Sequence, residues 1–206
     1  VPPDLVRVAI ALLCLAPHTP MLFMGEEYGE TNPFQFFSDM PGEDLREAIR
    51  QGRRREFEAF TGWQGDVPDP LDHATFQRST LDRAAAEAEA GQQRRALWRD
   101  LLALRRTQPA LATGNRDLLD AHVLEHTAFI HRRPSPNHPY APMIAMTANL
   151  SDADITVGAD TLLLSTADPR YGGTGPLDAG TVAARSVAVH AVPHDPADLP
   201  GAEPSS

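Results

Sequence analysis

Residues 19–39 read TPMLFMGEEYGETNPFQFFSD. A short apolar run, Met21–Met24, stops at Gly25. Two adjacent acids, Glu26 and Glu27, follow, and then a loop with the aromatics Tyr28, Phe34, Phe36 and Phe37. The run has the length and composition of a buried strand, and the glycine ends it. A buried strand that breaks into such a loop suits a parallel (β/α)8 barrel, where binding loops leave the C-terminal ends of the strands. Aromatic faces beside carboxylates suit a sugar, which stacks through its C–H surface and hydrogen-bonds through its hydroxyls.

Upstream, Asp4–Ala16 reads as a helix with Asp4 as N-cap, apolar on most faces and therefore buried, and Pro17 and Pro20 close it. Helix, turn, strand and loop form the repeating phrase of an α/β barrel. A whole barrel takes about 250 residues, more than the 206 present. The chain opens on Val1-Pro2-Pro3 and enters an apolar helix at once. The expectation is the end of a barrel whose N-terminal portion is missing. Val8–Ala16 lacks the cationic flank and cleavage site of a secretory leader. It also falls well short of the roughly 20 apolar residues of a membrane span. A soluble, cytoplasmic protein without a membrane partner is expected.

Downstream, Asp44–Phe60 reads as a second helix whose interleaved Arg and Glu residues can pair along a solvated face. Residues 61–81 hold two prolines, Pro68 and Pro70, and read as an ordered loop, residues 84–91 as a frayed turn, and Gln92–Gln108 as a firm helix closed by Pro109. From about Ala112 the apolar period changes from 3.6 to 2. His122–His131, Pro142–Leu150, Thr161–Ser165 and Thr181–Val192 read as strands, and the set suggests a small antiparallel β-sandwich. The fold expected is α+β: a terminal helix-strand-helix part of a (β/α)8 barrel over residues 1–110, a C-terminal antiparallel β-sandwich over 111–194, and a disordered tail over 195–206.

The formal net charge is −10, which argues against a nucleic-acid partner. All 18 basic residues are arginine. The single cysteine, Cys14, lies in the apolar helix, where a thiol is an inert small hydrophobe and no internal disulfide can form.

The segment RVAIALLCLAPHTPMLFMGEEYGE resembles the seventh helix and eighth strand of the α-amylase family of glycoside hydrolases. NPFQFFSD, LREAIRQGRRREFEAF, VPDPLDHATFQRSTLD and LWRDLLALRRTQPAL resemble the branch of that family that acts on maltooligosyl trehalose. MIAMTANLSD and RSVAVHAV are similar to two strands of its C-terminal sandwich. The resemblance implies a retaining hydrolase that cleaves the α-1,4 bond adjoining the trehalose end of a maltooligosaccharide-type substrate, without a required cofactor. It also implies that the nucleophile, the acid/base and a third aspartate lie upstream of Val1. No Asn-His-Asp motif occurs, so no catalytic residue is carried over and the chain alone is expected to be inactive. Met40 stands where the resemblance leads one to expect histidine, and Ala183-Ala184 replaces a proline-containing approach to the last strand. Two other readings share parts of the pattern: a non-catalytic carbohydrate-associated sandwich module or gene relic, and the tail of a glycogen branching or debranching enzyme.

Retaining hydrolysis needs two carboxyls about 5–5.5 Å apart. Adjacent residues leaving a strand point to opposite faces. Glu26 and Glu27 therefore do not bracket one glycosidic oxygen, but either can line a sugar subsite. Phe36 and Phe37 diverge for the same reason, one packing and one facing a cleft. Asp39 accepts a sugar hydroxyl or caps the following helix. Substrate contact is thus expected from Glu26, Glu27, Phe36, Phe37 and Asp39. Trp63 covers a helix end or serves as a sugar platform. His122 and His126, four apart on one strand, stand roughly 13 Å apart at 3.3 Å per residue, too far to share a metal, and Asp66, Asp69 and Asp72 lack the rest of a calcium loop. With its barrel partners absent, the isolated chain is expected to leave Val8–Ala16 partly uncovered, to dissolve poorly, and to behave better without its first 60 or so residues.

Overall fold

The computed structural model describes residues 1–58, 67–134 and 137–193. The expectations for Phe60, for Trp63 and for the tail 195–206 lie outside the described residues. The helices are α1 (Pro3–Leu15), α2 (Glu43–Glu58), α3 (His73–Arg78), α4 (Glu89–Thr107) and α5 (Pro109–Ala112). The strands are β1 (Leu119–Leu124), β2 (Thr127–Arg132), β3 (Met143–Asn149), β4 (Ile155–Thr156), β5 (Thr161–Ser165), β6 (Thr181–Val182) and β7 (Ser186–Val192). The chain divides into two compact units, one of residues 1–28 with 86–206 and one of residues 29–85.

In the first unit, proline sets both ends of α1. Pro3 sits in the first turn, where a missing N–H costs nothing, and Pro2, not the expected Asp4, occupies the cap position. Asp4 lies in the first turn, where its charge complements the helix dipole. Ala16 is extended because the residue ahead of Pro17 disfavours the helical region. Val8, Ile10, Ala11, Cys14 and Leu15 are buried. They join Leu97, Trp98 and Leu101 of α4 and Ile144, Met146, Val187 and Val189 of the sheet in one core. α4 and the inner face of the sheet cover one side of the helix, while Ala9 is exposed and Leu12 and Leu13 are half-buried, so the helix is partly uncovered as expected.

Helices leave their last carbonyls without intrahelical partners. At the end of α1 two arginines fill that role. Arg105 Nη1 donates to the carbonyls of Cys14 (2.7 Å) and Ala16 (2.6 Å), and its Nη2 donates to that of His18 (2.9 Å). Arg132, 0% exposed, donates from Nη1 to Leu15 (3.1 Å) and from Nη2 to Thr113 (2.7 Å). Burial first and the neighbouring charge of Arg105 second hold the Arg132 guanidinium below its usual pKa.

The antiparallel part of the α+β expectation is present as a five-stranded sheet in the order β1-β2-β3-β7-β5, with a separate two-stranded sheet of β4 and β6. Along β3 and β7, Met146 opposes Val189 and Ala148 opposes Val187 on the face turned to α1 and α4. The layer over that face is helical. The single strand expected over His122–His131 is instead a hairpin. Leu124 pairs with Thr127 around a two-residue turn in which Glu125 has φ 51°. That turn needs a left-handed residue, and Glu-His is not the usual Asn-Gly signal for it. Likewise Thr181–Val192 is two strands, β6 and β7. Asn149 at the end of β3 is fully buried. Its Nδ2 donates to the carbonyls of Ala153 (2.8 Å), Val182 (3.2 Å) and Ala183 (3.0 Å), and its Oδ1 accepts from Ser151 N (3.0 Å) and Oγ (2.7 Å). This hub explains the Asn-Leu-Ser-Asp turn in the sequence.

Met21–Met24 forms no strand here. Met21, Leu22, Phe23 and Met24 are 80%, 38%, 45% and 48% exposed. A strand is held by ladder bonds to a neighbour, and no strand among the described residues pairs with this segment. Among the described residues no helix is long and apolar enough to cross a membrane.

Candidate carbohydrate-binding site

Among the described residues of 29–85 there is little apolar core, and polar bonds lace the unit together. Glu30 accepts from Thr31 N (2.8 Å) and Asn32 N (2.7 Å) through Oε1 and from Asp82 N (2.7 Å) through Oε2. Asn32 Nδ2 donates to the Thr80 carbonyl (2.8 Å), Gln35 N to Ser79 Oγ (3.0 Å) and Ser38 N to the Pro70 carbonyl (2.8 Å). The extended 31–39 segment is thereby fixed beside residues 70–82. Within the region expected to be loop, Asp72 caps α3 by accepting from Ala74 N (2.9 Å), and buried Thr75 donates to the Asp69 carbonyl (2.7 Å). That loop expectation is corrected: the prolines stop at Pro70, and an N-cap followed by helix-tolerant residues forms a short helix.

A cavity of about 570 Å³ opens among Phe37, Ser38, Asp39, Arg46, residues 70–73 and Phe76, within the range of about 300–1,000 Å³ usual for small-molecule sites. Phe37 and Phe76 meet edge to face, centroids 5.3 Å apart and planes at 74°. His73 lies 5.8 Å from Phe76, tilted by 41°. Both phenylalanines stay open to solvent, 38% and 46% exposed. The fully exposed Asp39 carboxylate stands 3.9 Å from Arg46 Nη1. It does not cap α2, which begins at Glu43. Asp69, behind the wall, accepts from Leu71 N (2.9 Å) and Arg50 Nε (3.0 Å). The backbone bond first, against some desolvation, and Arg50 second hold its carboxyl below the usual range.

Of the residues expected to contact substrate, Phe37 and Asp39 come together in this cavity. Phe36 diverges from Phe37: the Arg53 guanidinium lies 5.4 Å from its ring centroid and 4.4 Å from that of Phe57. Glu26 and Glu27 belong to the other compact unit. Each closes its own turn, Glu26 accepting from Phe23 N (2.9 Å) and Glu27 from Gly25 N (3.0 Å). The sequence reading missed Arg46, His73 and Phe76. The available signal was Asp72 as an N-cap, which places His73 and Phe76 one turn apart on α3.

Cys14 is buried, and burial, opposed by the charge of Arg105, pushes its thiol up to about 12, so it is no nucleophile at neutral pH. Among the described residues no group of three or more His, Cys, Asp and Glu side chains is placed to hold a metal. His126 sits in the hairpin turn rather than on a strand shared with His122, which instead stacks on Phe129 at 5.1 Å.

No family model matches the chain. The chain is 39% identical over 181 residues to a malto-oligosyltrehalose trehalohydrolase of Brevibacterium helvolum, a match covering 85% of this chain and 28% of that one. It is 52% identical to the enzyme of that name from Rhizobium sp. (strain M-11), over 51% of this chain and 18% of that one. With the one from Deinococcus radiodurans it shares 48% identity, over 55% of this chain and 18% of that one. The chain thus spans less than a third of the length of these relatives. Among solved structures, an inferred alpha amylase of Salmonella typhimurium superposes with a TM-score of 0.71 at 30% identity, over 92% of this chain and 30% of that one. A trehalulose synthase variant matches in fold alone, with a TM-score of 0.52 at 14% identity, over 92% of this chain and 38% of that one. In sequence, this chain is similar to a portion of malto-oligosyltrehalose trehalohydrolases, glycosidases of the α-amylase family.

Proposed function

We propose that, as its likeness to a portion of these trehalohydrolases suggests, the chain is the C-terminal part of a retaining glycoside hydrolase. That enzyme cleaves the α-1,4-glucosidic bond adjoining the trehalose end of maltooligosyl trehalose and releases trehalose. The observation that carries the reading is the 39% identity over 85% of the chain to a relative of that name. The cavity of Phe37 and Asp39 supports it, because it offers a sugar an aromatic face beside a hydroxyl acceptor.

In this reading Met21–Met24 is the last strand of a barrel whose other strands belong to an N-terminal portion. That accounts for an apolar segment that is partly exposed and pairs with no strand among the described residues. Residues 1–110 derive from the barrel, residues 111–194 from the C-terminal sandwich, and the whole protein works in the cytoplasm without a cofactor. Glu26, Glu27, Phe36, Phe37 and Asp39 line substrate subsites and perform no bond cleavage. The nucleophile and acid/base come from the missing portion, and removing such groups costs most of the rate.

The test joins the N-terminal portion of the Brevibacterium helvolum enzyme to this chain and measures trehalose release from maltooligosyl trehalose. The chimera is expected to release trehalose and the 206-residue chain alone to release none. A folded chimera that leaves maltooligosyl trehalose intact overturns the assignment, and so does hydrolysis by the chain alone.

A further inference from the structure

We infer that Phe76, His73 and Arg46, together with Phe37 and Asp39, form one glucopyranose-binding subsite built wholly within residues 29–85. The choice of a glucan as ligand rests on the proposed hydrolase; the pocket itself rests on geometry. Phe37 and Phe76 stand at 74° with centroids 5.3 Å apart, and each keeps over a third of its surface in water. Rings that served only to close a core would be covered. Here they make a right-angled corner, which offers one ring's face to the C–H surface of a pyranose while the other bounds its edge.

The polar groups at this corner suit hydroxyls rather than a charge. Asp39 accepts and Arg46 donates, 3.9 Å apart, a spacing that spans two vicinal hydroxyls, whereas an anionic ligand would meet the Asp39 carboxylate as well as the guanidinium. His73 adds a ring nitrogen beside Phe76. The wall is fixed before ligand arrives by Ser38 N on the Pro70 carbonyl, by the Asp72 cap of α3 and by Thr75 Oγ1 on the Asp69 carbonyl. A preformed site of this kind loses little ordering entropy on binding. A single subsite binds weakly and contributes to a longer chain's affinity.

Saturation-transfer NMR of the 206-residue chain with maltotriose tests the subsite directly. Saturable binding is expected, with Kd raised at least tenfold in Phe76→Ala and in Arg46→Gln, restored toward wild type in Phe76→Tyr, and unmoved in Tyr140→Ala, an aromatic 89% exposed on the other unit. Circular dichroism of each variant separates lost binding from lost folding, and Phe76→Tyr keeps the corner where Phe76→Ala unfolds. No saturable maltotriose binding by the folded wild-type chain overturns the subsite, as does binding that Phe76→Ala and Arg46→Gln leave unchanged. These failures are distinct from that of the hydrolase assignment, which is read from trehalose release by the chimera. A chimera that works while maltotriose ignores Phe76 sinks the subsite and leaves the enzyme standing.

Discussion

The two compact units are held by different physics. In the first, α1, α4 and the inner face of the sheet share a core in which Leu15, Leu97, Leu101, Leu111, Ile144, Val187 and Val189 are all 0% exposed. Each buried side chain of that size contributes roughly 1.5–3 kcal/mol relative to exposure. In the second unit α2 buries no residue, and its long polar face is tied by the ion pairs of Arg46, Arg50 and Arg53 with Asp39, Glu43, Glu47, Glu56 and Asp69. Exposed pairs of this kind are typically worth 0–1 kcal/mol. Stability is concentrated in one unit, and the cluster of open phenylalanine rings, Phe34, Phe36, Phe37 and Phe76, in the other. A region that must offer rings to a ligand cannot also spend them on a core.

The largest effect separating the units comes from deleting residues 1–20. If α1 is core, the deletion uncovers α4 and the sheet, and the product is expected to aggregate on refolding, where the sequence alone suggested that trimming would help. A soluble, cooperatively folded truncated chain would break the comparison. Next is Leu101→Ala, which leaves a cavity against α1. It is expected to cost about 2–5 kcal/mol in urea denaturation followed by hydrogen exchange. Protection should fall across residues 86–132 and 143–192 while the amides of α2, expected to exchange quickly because the helix buries no residue, stay as they are. Equal loss of protection in α2 would show that the units share one stability.

How much of this was legible follows the same division. α1 and α4 were readable because an apolar face and flanking prolines act locally. The β hairpin was merged into one strand because alternation continues straight through Glu125-His126, and only the left-handed φ of Glu125 betrays the turn. Met21–Met24 carries the composition of a strand, but strand formation depends on a partner that composition cannot supply. Phe37 and Asp39, which line the cavity, could be singled out because aromatics beside acids stand out in the 31–39 segment. Phe76 and His73 were hidden in a stretch that two prolines and its glycines made look shapeless. Arg46 was absorbed into a solvated helix face. Its position over the cavity depends on where α2 begins, which a charge pattern does not fix.

A smaller effect is pH dependence. In the first unit Asp100 is partly desolvated, which raises its pKa. The hydrogen bond from Tyr171 (2.8 Å) and the Arg99 and Arg170 guanidiniums outweigh that and hold it low. A carboxyl depressed in the folded state stabilises fully above its unfolded value of about 3.9. That contribution is lost as pH falls through the lower folded value. Urea midpoints between pH 6 and 2 are therefore expected to fall less steeply below about pH 4 in Asp100→Asn than in the parent chain, with the parent the more stable near neutrality. Identical slopes would show that the Tyr171–Asp100 bond adds nothing to the first unit.

The smallest effect is the most telling about the second unit. Arg50 meets Asp69 (3.0 Å), Glu43 (3.2 Å) and Glu47 (3.5 Å), and the hydrogen bonds it donates to Asp69 and Glu43 raise its pKa. By count of partners it looks like the anchor of α2. All three carboxylates are well exposed to water, so solvent screens each pair and the gain is offset by ordering long side chains. Arg50→Gln is accordingly expected to leave the urea midpoint unchanged within error at 0.15 M salt, while speeding amide exchange in α2 at low salt, where screening is weakest. If instead the midpoint drops at every salt concentration, the Arg50 cluster acts as a buried network would. The contrast between an apolar core and a solvated, laced recognition surface would then have to be redrawn.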